Sequence, residues 1–436
     1  MMRSESRVIN IGDHGENGAQ VKFLCHFPSQ FIRENSGVAG EILIGRTFKG
    51  MSGDLDGNYV KIQEIDQNIF EIDRDMFGSI PLFYSLERRL ISTDIRELLS
   101  TGSVDWCSEG VSEYISCAFN SLGRTVYKNI FILRPDEAIR VNECNISIIK
   151  KRNYFNQTRI AGEVGQLLED AIERSILNLS QEVGEQCILN LSGGNDSTLL
   201  LALLRKFRTD SEIYSNTFFH KDWREDFDDW RYAELAAKKY GTLHTLVNIE
   251  NSSFEQAHKE LVFQGRNVFH TYAAAFFMQN KVLNKFVKPE MCIINGSGPD
   301  ETMIGTEKIP VETLIEMNKL SRNDWVKYAV NARDYLKIPE SESEALLNDS
   351  GTGFIGRRLE FAEELSEQCE SFVDFQRKYH SMLILQDHIC ELNQVATTMN
   401  RPIFFPFLTN DIFKIVFGAT FQELNLNNVY KAAIKN

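Results

Sequence analysis

The chain has 436 residues, of which 43% are hydrophobic and 25% charged, and its net charge is −14. This length predicts two domains, and the composition is typical of a soluble globular protein. The acidic balance argues against a general nucleic-acid binder, because such binding depends on a basic surface. No apolar run approaches the roughly 20 residues of a membrane span, and residues 1–5 lead into no signal-peptide core, so we expect a cytoplasmic protein without a membrane partner.

The cysteines are scattered and show no spacing typical of a zinc site. We therefore expect buried free thiols. The eight residues are Cys25, Cys107, Cys117, Cys144, Cys187, Cys292, Cys369 and Cys390.

Short strands separated by turns dominate the first part of the chain. The pattern predicts strands at residues 21–25, 41–44, 59–65, 69–72, 82–85, 90–92 and 146–150. From about residue 161 the period changes, because apolar residues recur at helical spacing from Val164 to Ile176. We therefore predict two domains, residues 1–155 and 160–436, with the boundary near residues 153–160.

Strands alternate with helices in the second part. The pattern predicts strands at residues 187–191, 213–219 and 244–249, and helices at residues 197–206 and 229–240. This alternation is typical of a doubly wound parallel sheet in an α/β fold, which binds ligands at the carboxyl ends of its strands. After Thr306 the chain is predicted to be mainly helical.

The most informative segment follows the first of these strands, where residues 192–197 read Ser-Gly-Gly-Asn-Asp-Ser. Two glycines allow a tight turn that brings main-chain N–H groups close to an anion, and the following helix adds its positive N-terminal end. Asp196 and Ser197 add a carboxylate and a hydroxyl. The alternative is an ordinary strand-to-helix turn with a Ser or Asp cap. The pattern differs from a Walker A loop and favours a phosphate-binding loop of another type.

A second strand, predicted at residues 291–294, leads into Asn-Gly-Ser-Gly-Pro-Asp-Glu at residues 295–301. Proteins usually hold Mg²⁺ with one or two carboxylates together with substrate phosphates. Asp196 and Asp300 each follow the carboxyl end of a strand, so we predict that they hold Mg²⁺ together. An acidic surface loop is the alternative interpretation of Asp300.

The two motifs together resemble those of the asparagine synthetase family, whose synthetase domain carries Ser-Gly-Gly-X-Asp-Ser and, further on, Gly-X-Gly-X-Asp-Glu. The first motif also looks like the pyrophosphate loop of the ATP pyrophosphatases, which split ATP between its α and β phosphates. The resemblance implies ATP and Mg²⁺ as cofactors. The nucleotide-binding residues it implies are Leu191, Ser192, Gly193, Gly194, Asn195, Asp196, Ser197, Gly296, Ser297 and Gly298.

Four other segments extend the resemblance. Residues 73–84, and residues 129–130 with 133–135, are similar to segments of the family's glutaminase domain. Residues 401–408 and 431–435 are similar to two segments near the family's C-terminal end, and the lysine of the second contacts the reacting phosphates. The resemblance implies an N-terminal α+β, Ntn-hydrolase-like antiparallel-sheet domain and an adenylating synthetase domain with a helical C-terminal part. It also implies catalytic roles for Lys431, Asp300 and Asp196.

Three positions depart from the family's pattern. A glutamine-hydrolysing member needs a cysteine directly after the initiator methionine, whereas this sequence has Met2 there and its first cysteine is Cys25. We therefore expect an N-terminal domain without glutaminase activity. Ser297 stands where asparagine synthetases have Glu and β-lactam synthetases have Tyr, and serine alone is a poor general base. Thr409 replaces the family's usual aspartate.

These departures favour a branch of the family that adenylates a carboxylate for attack by an amine of the substrate. Lasso peptide cyclases are that branch, because they activate an acidic side chain of a precursor peptide whose own N-terminal amine closes the macrolactam ring. The implied partners are a precursor peptide and a leader-peptide protease or recognition protein. A small-metabolite amide or β-lactam synthetase, using a small acid and amine, is the second interpretation. A non-catalytic nucleotide-binding scaffold is the third.

Four further residues are weaker candidates for contact with nucleotide or substrate. Arg401 and Lys308 are interpreted either as partners of a phosphate or carboxylate or as ordinary surface charges. His220 and His244 lie at the ends of predicted strands, where a histidine is more often structural. The aromatic run at residues 269–277 is predicted to be a buried helix face that is close enough to the second motif to line a substrate pocket.

Overall fold

The structure is a computed structural model. It describes residues 7–11, 21–25, 32–34, 40–143, 145–151, 154–159, 163–182, 186–209, 212–219, 229–284, 286–288, 291–302, 311–331, 338–347, 353–384, 388–420 and 423–424. Within these ranges, no helix combines the length and the apolar character needed to cross a bilayer.

Two sheets are built from the first part of the chain. Their strands are β1 (Arg7–Ile11), β2 (Val21–Cys25), β3 (Ile32–Glu34), β4 (Glu41–Lys49), β5 (Leu55–Asp66), β6 (Ile69–Arg74), β7 (Phe83–Ser85), β8 (Leu90–Ser92), β9 (Phe131–Ile132), β10 (Glu137–Asn142) and β11 (Asn145–Lys150). One sheet has the order β1-β2-β8-β7-β9 and the other β11-β10-β6-β5-β4-β3. The pairs are antiparallel except β2 with β8, which run parallel.

A third sheet, which is parallel throughout, is built from the second part of the chain. Its strands are β12 (Gln186–Asn190), β13 (Glu212–Phe219), β14 (Leu243–Asn248), β15 (Ile293–Ile294) and β16 (Ile403–Phe404). The order is β14-β13-β12-β15-β16. The chain therefore adds β13 and then β14 on one side of β12, and later adds β15 and β16 on the other side. Open α/β sheets bind ligands at the crevice that such a reversal creates, here between β12 and β15.

Helices make up most of the last part of the chain. They are α1 (Ile95–Ser100), α2 (Ser108–Cys117), α3 (Val164–Glu182), α4 (Asn195–Phe207), α5 (Asp229–Tyr240), α6 (Asn251–Gly265), α7 (Thr271–Leu283), α8 (Pro299–Thr302), α9 (Val311–Met317), α10 (Arg322–Val330), α11 (Glu340–Leu347), α12 (Phe354–Glu367), α13 (Phe372–Ile384), α14 (Cys390–Thr398) and α15 (Asn410–Gly418). Both α5 and α7 contact β13 and β14.

The predicted fold class is confirmed, with antiparallel pairing first and a parallel sheet with helices second. The strands predicted at residues 21–25 and 90–92 and the helix at 229–240 have the observed bounds. Within the first part of the chain, β2 and β8 pair parallel beside the antiparallel pairs. The predicted boundary near residues 153–160 falls between β11 and α3 and stays a prediction.

The segment at residues 73–84, which resembles part of a glutaminase domain, forms a buried turn. Asp75 accepts hydrogen bonds from the N–H of Ser79 at 3.2 Å and from its Oγ at 2.7 Å. Arg74 donates to the main-chain oxygen of Leu133 at 2.7 Å. Because both side chains bond to groups within the fold, the segment stabilises the turn between β6 and β7.

Buried hydrogen bonds join the first and second parts of the chain. Arg46, which is fully buried, donates to the main-chain oxygen of Ser175 at 2.8 Å. Asn58 donates to the main-chain oxygen of Leu408 at 2.7 Å. Asp56 accepts the N–H groups of Asn410 and Asp411, at 2.5 and 3.3 Å, so a carboxylate from β5 caps the N-terminus of α15.

This capping carboxylate is expected to make the stability depend on pH. Burial, together with the neighbouring Asp411 carboxylate, raises the pKa of Asp56 from 3.8 to about 6. The folded state therefore binds the proton more tightly, and this stabilisation is complete below about pH 4 and is lost as the pH rises through about 6.

We predict that Asp56→Asn removes this pH dependence, which amounts to about 1.4 kcal/mol between pH 5 and pH 7.5. The comparison is the free energy of unfolding of the wild-type chain and the variant in denaturant, at pH 5 and at pH 7.5. The wild-type chain gains stability relative to the variant as the pH falls. An identical pH response in both proteins would contradict the assignment.

The described cysteines are free thiols, and all of them except Cys107 are buried, as predicted. Cys144 lies outside the described residues. Burial raises the pKa of Cys187 to about 11, so this thiol stays protonated at neutral pH.

Candidate nucleotide-binding site

A cavity of about 380 Å³ lies at the carboxyl ends of β12, β13 and β15. This is the edge of the sheet at which the strand order reverses. The cavity is lined by Asn190, Leu191, Ser192, Asp196, Ser197, Thr217, Phe218, Asp229, Trp230, Tyr272, Gln279, Asn295, Gly296, Ser297 and His388.

The loop after β12 forms one wall of the cavity. Gly193 has a φ of +90°, in the region that favours glycine, and Gly194 is the N-cap of α4. Ser197 Oγ accepts the N–H of Ser192 at 3.1 Å and lies 3.0 Å from Ser192 Oγ. The loop is thereby closed over the first turn of α4, whose main-chain N–H groups have no intrahelical acceptors. This geometry suits an anion.

The loop after β15 packs directly against the first loop. A Cβ atom on Gly296 would lie 3.2 Å from the main-chain nitrogen of Ser197, so a side chain here would crowd the two backbones. Asn295 donates its N–H to the main-chain oxygen of Phe404 at 3.0 Å and accepts the N–H of Ser297 at 2.8 Å. The sheet edge therefore fixes the second loop, and Gly298 leads it into α8 with a φ of +132°.

A cluster of buried amide side chains lies beneath the first loop. Asn190 and Gln279 both donate to Asn216 Oδ1, at 2.8 and 2.6 Å. Asn190 lines the cavity, and its Oδ1 has no hydrogen-bond partner among the described residues. An unsatisfied buried acceptor costs about 1–3 kcal/mol. A ligand that places a hydrogen-bond donor here would remove that cost.

A histidine and a serine meet in the opposite wall. Ser297 Oγ lies 3.2 Å from His388 Nε2, and the ring of Tyr272 packs against the imidazole with a centroid distance of 5.2 Å. Burial lowers the pKa of His388 to about 4, so the imidazole is neutral at pH 7.

The described lining of the cavity carries no lysine or arginine, whereas Asp196 and Asp229 both contribute carboxylates. A polyphosphate placed there would meet negative charge and neutral hydrogen-bond donors. Its binding therefore requires a cation, supplied either by a metal ion or by side chains outside the described residues.

The structure brings the two predicted loops together. The predicted residues that line the cavity are Leu191, Ser192, Asp196, Ser197, Gly296 and Ser297. Gly193, Gly194 and Asn195 belong to the first loop, and Gly298 belongs to the second. Asp300 lies in α8, but its side chain is outside the described part of the structure, and Lys431, Lys308 and His220 lie outside the described residues altogether.

The structure places Arg401 and His244 away from the phosphate-binding loops. Arg401 is buried, and it donates to Asn284 Oδ1 at 2.9 Å and to the main-chain oxygen of Lys288 at 2.7 Å, so it is not a surface charge. His244 lies near the amino end of β14, away from the cavity, with Nδ1 2.9 Å from Ser215 Oγ. Its position supports the structural interpretation.

Sequence reasoning missed several residues of the cavity wall. His388 precedes α14 with no glycine-rich or metal-binding pattern around it, and Asp229 was identified only as a helix start. The buried Asn190 was available as a signal, because a polar residue at the end of an otherwise apolar strand needs a partner. Phe276 and Phe277 are buried, as predicted for a helix face, and Tyr272 lines the cavity, whose role as a substrate pocket stays a prediction.

The fold and the cavity define an α/β protein with a phosphate-binding loop at the reversal of strand order. Residues 163–398, more than half of the chain, match the family profile of asparagine synthase, and the chain belongs to this family. Membership supports an ATP-using, ligase-type enzyme. No curated protein matches the sequence.

Solved structures with local similarity to the chain include three enzymes. An NH3-dependent NAD synthetase from Campylobacter jejuni is 13% identical, covers 48% of this chain and 98% of its own, and has a TM-score of 0.26. A glutamine-dependent NAD+ synthetase from Acinetobacter baumannii is 12% identical over 84% and 80%, with a TM-score of 0.25. A tRNA thiolase from Methanococcus maripaludis is 14% identical over 49% and 79%, with a TM-score of 0.24. At these TM-scores the similarities carry no conclusion about function.

Proposed function

We propose that the chain is an AMP-forming carbon–nitrogen ligase, which adenylates a carboxylate and passes the acyl group to an amine of the substrate. The observation that carries this proposal is the contact between the two loops, with Gly296 packed against Ser197 at the reversal of strand order. It forms a single concave surface from the N-terminus of α4 and a second glycine loop. A nucleotide triphosphate fits this surface because main-chain N–H groups meet its phosphates.

The surroundings of the loops suit the other parts of ATP and a magnesium ion. Phe218, Trp230 and Tyr272 offer aromatic surface in the same cavity for a purine ring. Asp196 would hold Mg²⁺ together with Asp300, and Lys431 would contact the leaving pyrophosphate. When bound, Mg²⁺ neutralises charge on the phosphates and stabilises the leaving group.

The residues of the chain would divide the activation step among them. The first loop orients the phosphates so that the substrate carboxylate attacks the α-phosphorus, and pyrophosphate leaves on the side of the helix N-terminus. Main-chain N–H groups that are already in place stabilise the developing charge without reorganisation. The Asn190 acceptor, which lacks a partner among the described residues, would fix a donor of the nucleotide.

The source of the amine is proposed to be the substrate rather than glutamine. Cys25, the first cysteine of the sequence, is fully buried within β2, so it is not placed to attack a glutamine amide. A precursor peptide that supplies both the acidic side chain and the N-terminal amine would combine both reactants in one molecule. This is the macrolactam closure of the lasso peptide cyclase type.

The test is pyrophosphate release from ATP and Mg²⁺ with two panels of acids, one of peptides with a free N-terminus and an acidic side chain, the other of small amino and keto acids. We predict release with a peptide, and Asp196→Asn lowers the rate at least about 100-fold because it removes a metal-binding charge. Asp170→Asn is the matched control, because Asp170 is exposed on α3 and accepts only a neighbouring Gln166 amide in the described contacts.

Three outcomes are informative. Release with small acids alone would replace the peptide substrate by a small metabolite. If none of the acids gives pyrophosphate release above background, and Asp196→Asn leaves that background unchanged, the enzymatic function is contradicted. Equal losses in Asp196→Asn and Asp170→Asn would contradict the assigned position of the phosphates.

A further inference from the structure

The hydroxyl of Ser297 and the imidazole of His388 form a hydrogen-bonded pair in the cavity wall, 3.2 Å apart. The serine is held from behind, because its N–H donates to Asn295 Oδ1 and Asn295 is itself bonded to β16 through Phe404. The main chain that carries the Ser297 side chain is therefore held in place at the edge of the sheet. The pair sits in the same cavity as Asp196.

The imidazole is held from its own side of the cavity. The ring of Tyr272 packs against His388 at 5.2 Å with an interplanar angle of 42°. The next residue, Ile389, is fully buried, and its main-chain oxygen accepts Asn393 Nδ2 at 3.1 Å. Asn393 also donates to the main-chain oxygen of Ser79 at 2.5 Å, which ties this turn to the first part of the chain.

The chemistry of amide formation requires a proton acceptor at this place. An amine that attacks an acyl carbon becomes positively charged and has to lose a proton as the bond forms. Asp196 is engaged with the metal in the proposed function, and an isolated serine hydroxyl is a poor base at neutral pH. A neutral imidazole beside the hydroxyl provides an acceptor for the proton that the hydroxyl passes on. Because burial lowers the pKa of His388 to about 4, the imidazole holds this proton only while the amide bond forms and then releases it.

We propose that Ser297 and His388 take up the proton of the attacking amine, an inference that rests on the proposed function. The amine nitrogen forms a bond to the acyl carbon, and the bond between that carbon and the AMP oxygen breaks, with the electron pair leaving on AMP. Ser297 Oγ accepts the proton from nitrogen while its own proton moves to His388 Nε2, from which it is later released to solvent. Ser297 is the catalytic residue, and His388 is a positioning residue that acts through it.

The two half-reactions separate this role from nucleotide binding. ATP–pyrophosphate exchange measures adenylation alone, and amide formation measures both steps, using the acid that gives the most pyrophosphate release with the wild-type enzyme. For His388→Ala and His388→Gln we expect exchange within about 3-fold of wild type and amide formation lowered about 100-fold or more. Glutamine keeps a hydrogen-bond acceptor but cannot take up the proton, so it does not rescue the alanine variant. Ser297 also belongs to the nucleotide-binding loops, so for Ser297→Ala we expect amide formation to fall at least about 10-fold more than exchange.

Hydroxylamine provides a second readout that a merely structural role would not change. Because its nitrogen is far less basic than an alkyl amine, its attack depends less on a base, and the two His388 variants should form hydroxamate within about 10-fold of wild type. His244→Gln is the matched control, since His244 makes the same type of contact to Ser215 away from the cavity. We expect it to retain both half-reactions.

Nitrogen-15 NMR of the histidines tests the pair without any substrate. We expect His388 Nε2 to be the unprotonated nitrogen at pH 7, with a resonance that moves in Ser297→Ala and disappears in His388→Gln. A proton on Nε2 would overturn the relay whatever the enzyme's substrate. So would parallel losses of exchange and amide formation in the variants, whereas absence of exchange in the wild-type enzyme would overturn the proposed function and the relay together.

Discussion

Gly193→Ala is expected to destabilise the folded chain by about 3–5 kcal/mol and to abolish pyrophosphate release. Gly193 has a φ of +90°, and a Cβ atom there would overlap the main-chain oxygen of Asp229 and lie 2.8 Å from Ala233 N. Both partners are backbone atoms of α5, so relief requires a shift of that helix away from the loop. Denaturant unfolding and pyrophosphate release of the purified variant measure the two effects.

Gly194→Ala is the matched variant for stability. Gly194 has a φ of −69°, and its Cβ atom would meet only Ser192 Oγ at 3.4 Å, an ordinary contact. We expect its free energy of unfolding to stay within about 1 kcal/mol of wild type. Equal destabilisation by both substitutions would contradict the close packing of the loop against α5.

Glu113→Ala is expected to cost about 3–5 kcal/mol, because it leaves a buried guanidinium without its counter-charge. Glu113, on α2, is fully buried and pairs with Arg358 at 3.0 Å and with Arg357 at 2.8 Å, both on α12. Burial alone would raise the pKa of Glu113, but the two guanidiniums hold it below its ordinary value. The pair therefore joins the first part of the chain to the helical last part. Denaturant unfolding at pH 7 measures the loss.

An exposed pair on α6 serves as the control for this prediction. Glu255 lies 2.6 Å from Lys259, and both side chains are more than two-thirds exposed. Because solvent screens such pairs, Glu255→Gln should leave the unfolding curve unchanged. A similar shift for both variants, or less than about 1 kcal/mol for Glu113→Ala, would contradict the structural role of the buried pair.

Local sequence patterns predicted those elements of the fold whose signal lies within a few neighbouring residues. The alternation of strands and helices after Val164 predicted the parallel sheet, and the glycine run at residues 192–197 predicted the turn into α4. The strand β10 was missed, although its buried residues alternate in part, because its recognition depends on pairing with β6 and β11. A neighbour from another part of the chain is not visible in a local pattern.

In the candidate site, too, local features were predicted and contacts between distant parts of the chain were missed. Both loops were predicted from their own residues, whereas the meeting of Ser297 with His388 depends on how the chain folds between them. Glu113 was missed for a similar reason, since a single acid in a helix reveals its buried partners only after packing. The place of Asp196 in the site was predicted because this residue is part of the Ser-Gly-Gly-Asn-Asp-Ser motif itself.

The central claim is that the chain activates a carboxylate as an acyl-adenylate. The most direct test supplies ATP, Mg²⁺ and the most active acid of the panel with ¹⁸O in its carboxylate, and then examines the products by phosphorus NMR. The account predicts AMP that carries one ¹⁸O atom, together with unlabelled pyrophosphate. Formation of ADP with ¹⁸O-labelled orthophosphate would contradict it, because the carboxylate would then have attacked the γ-phosphorus.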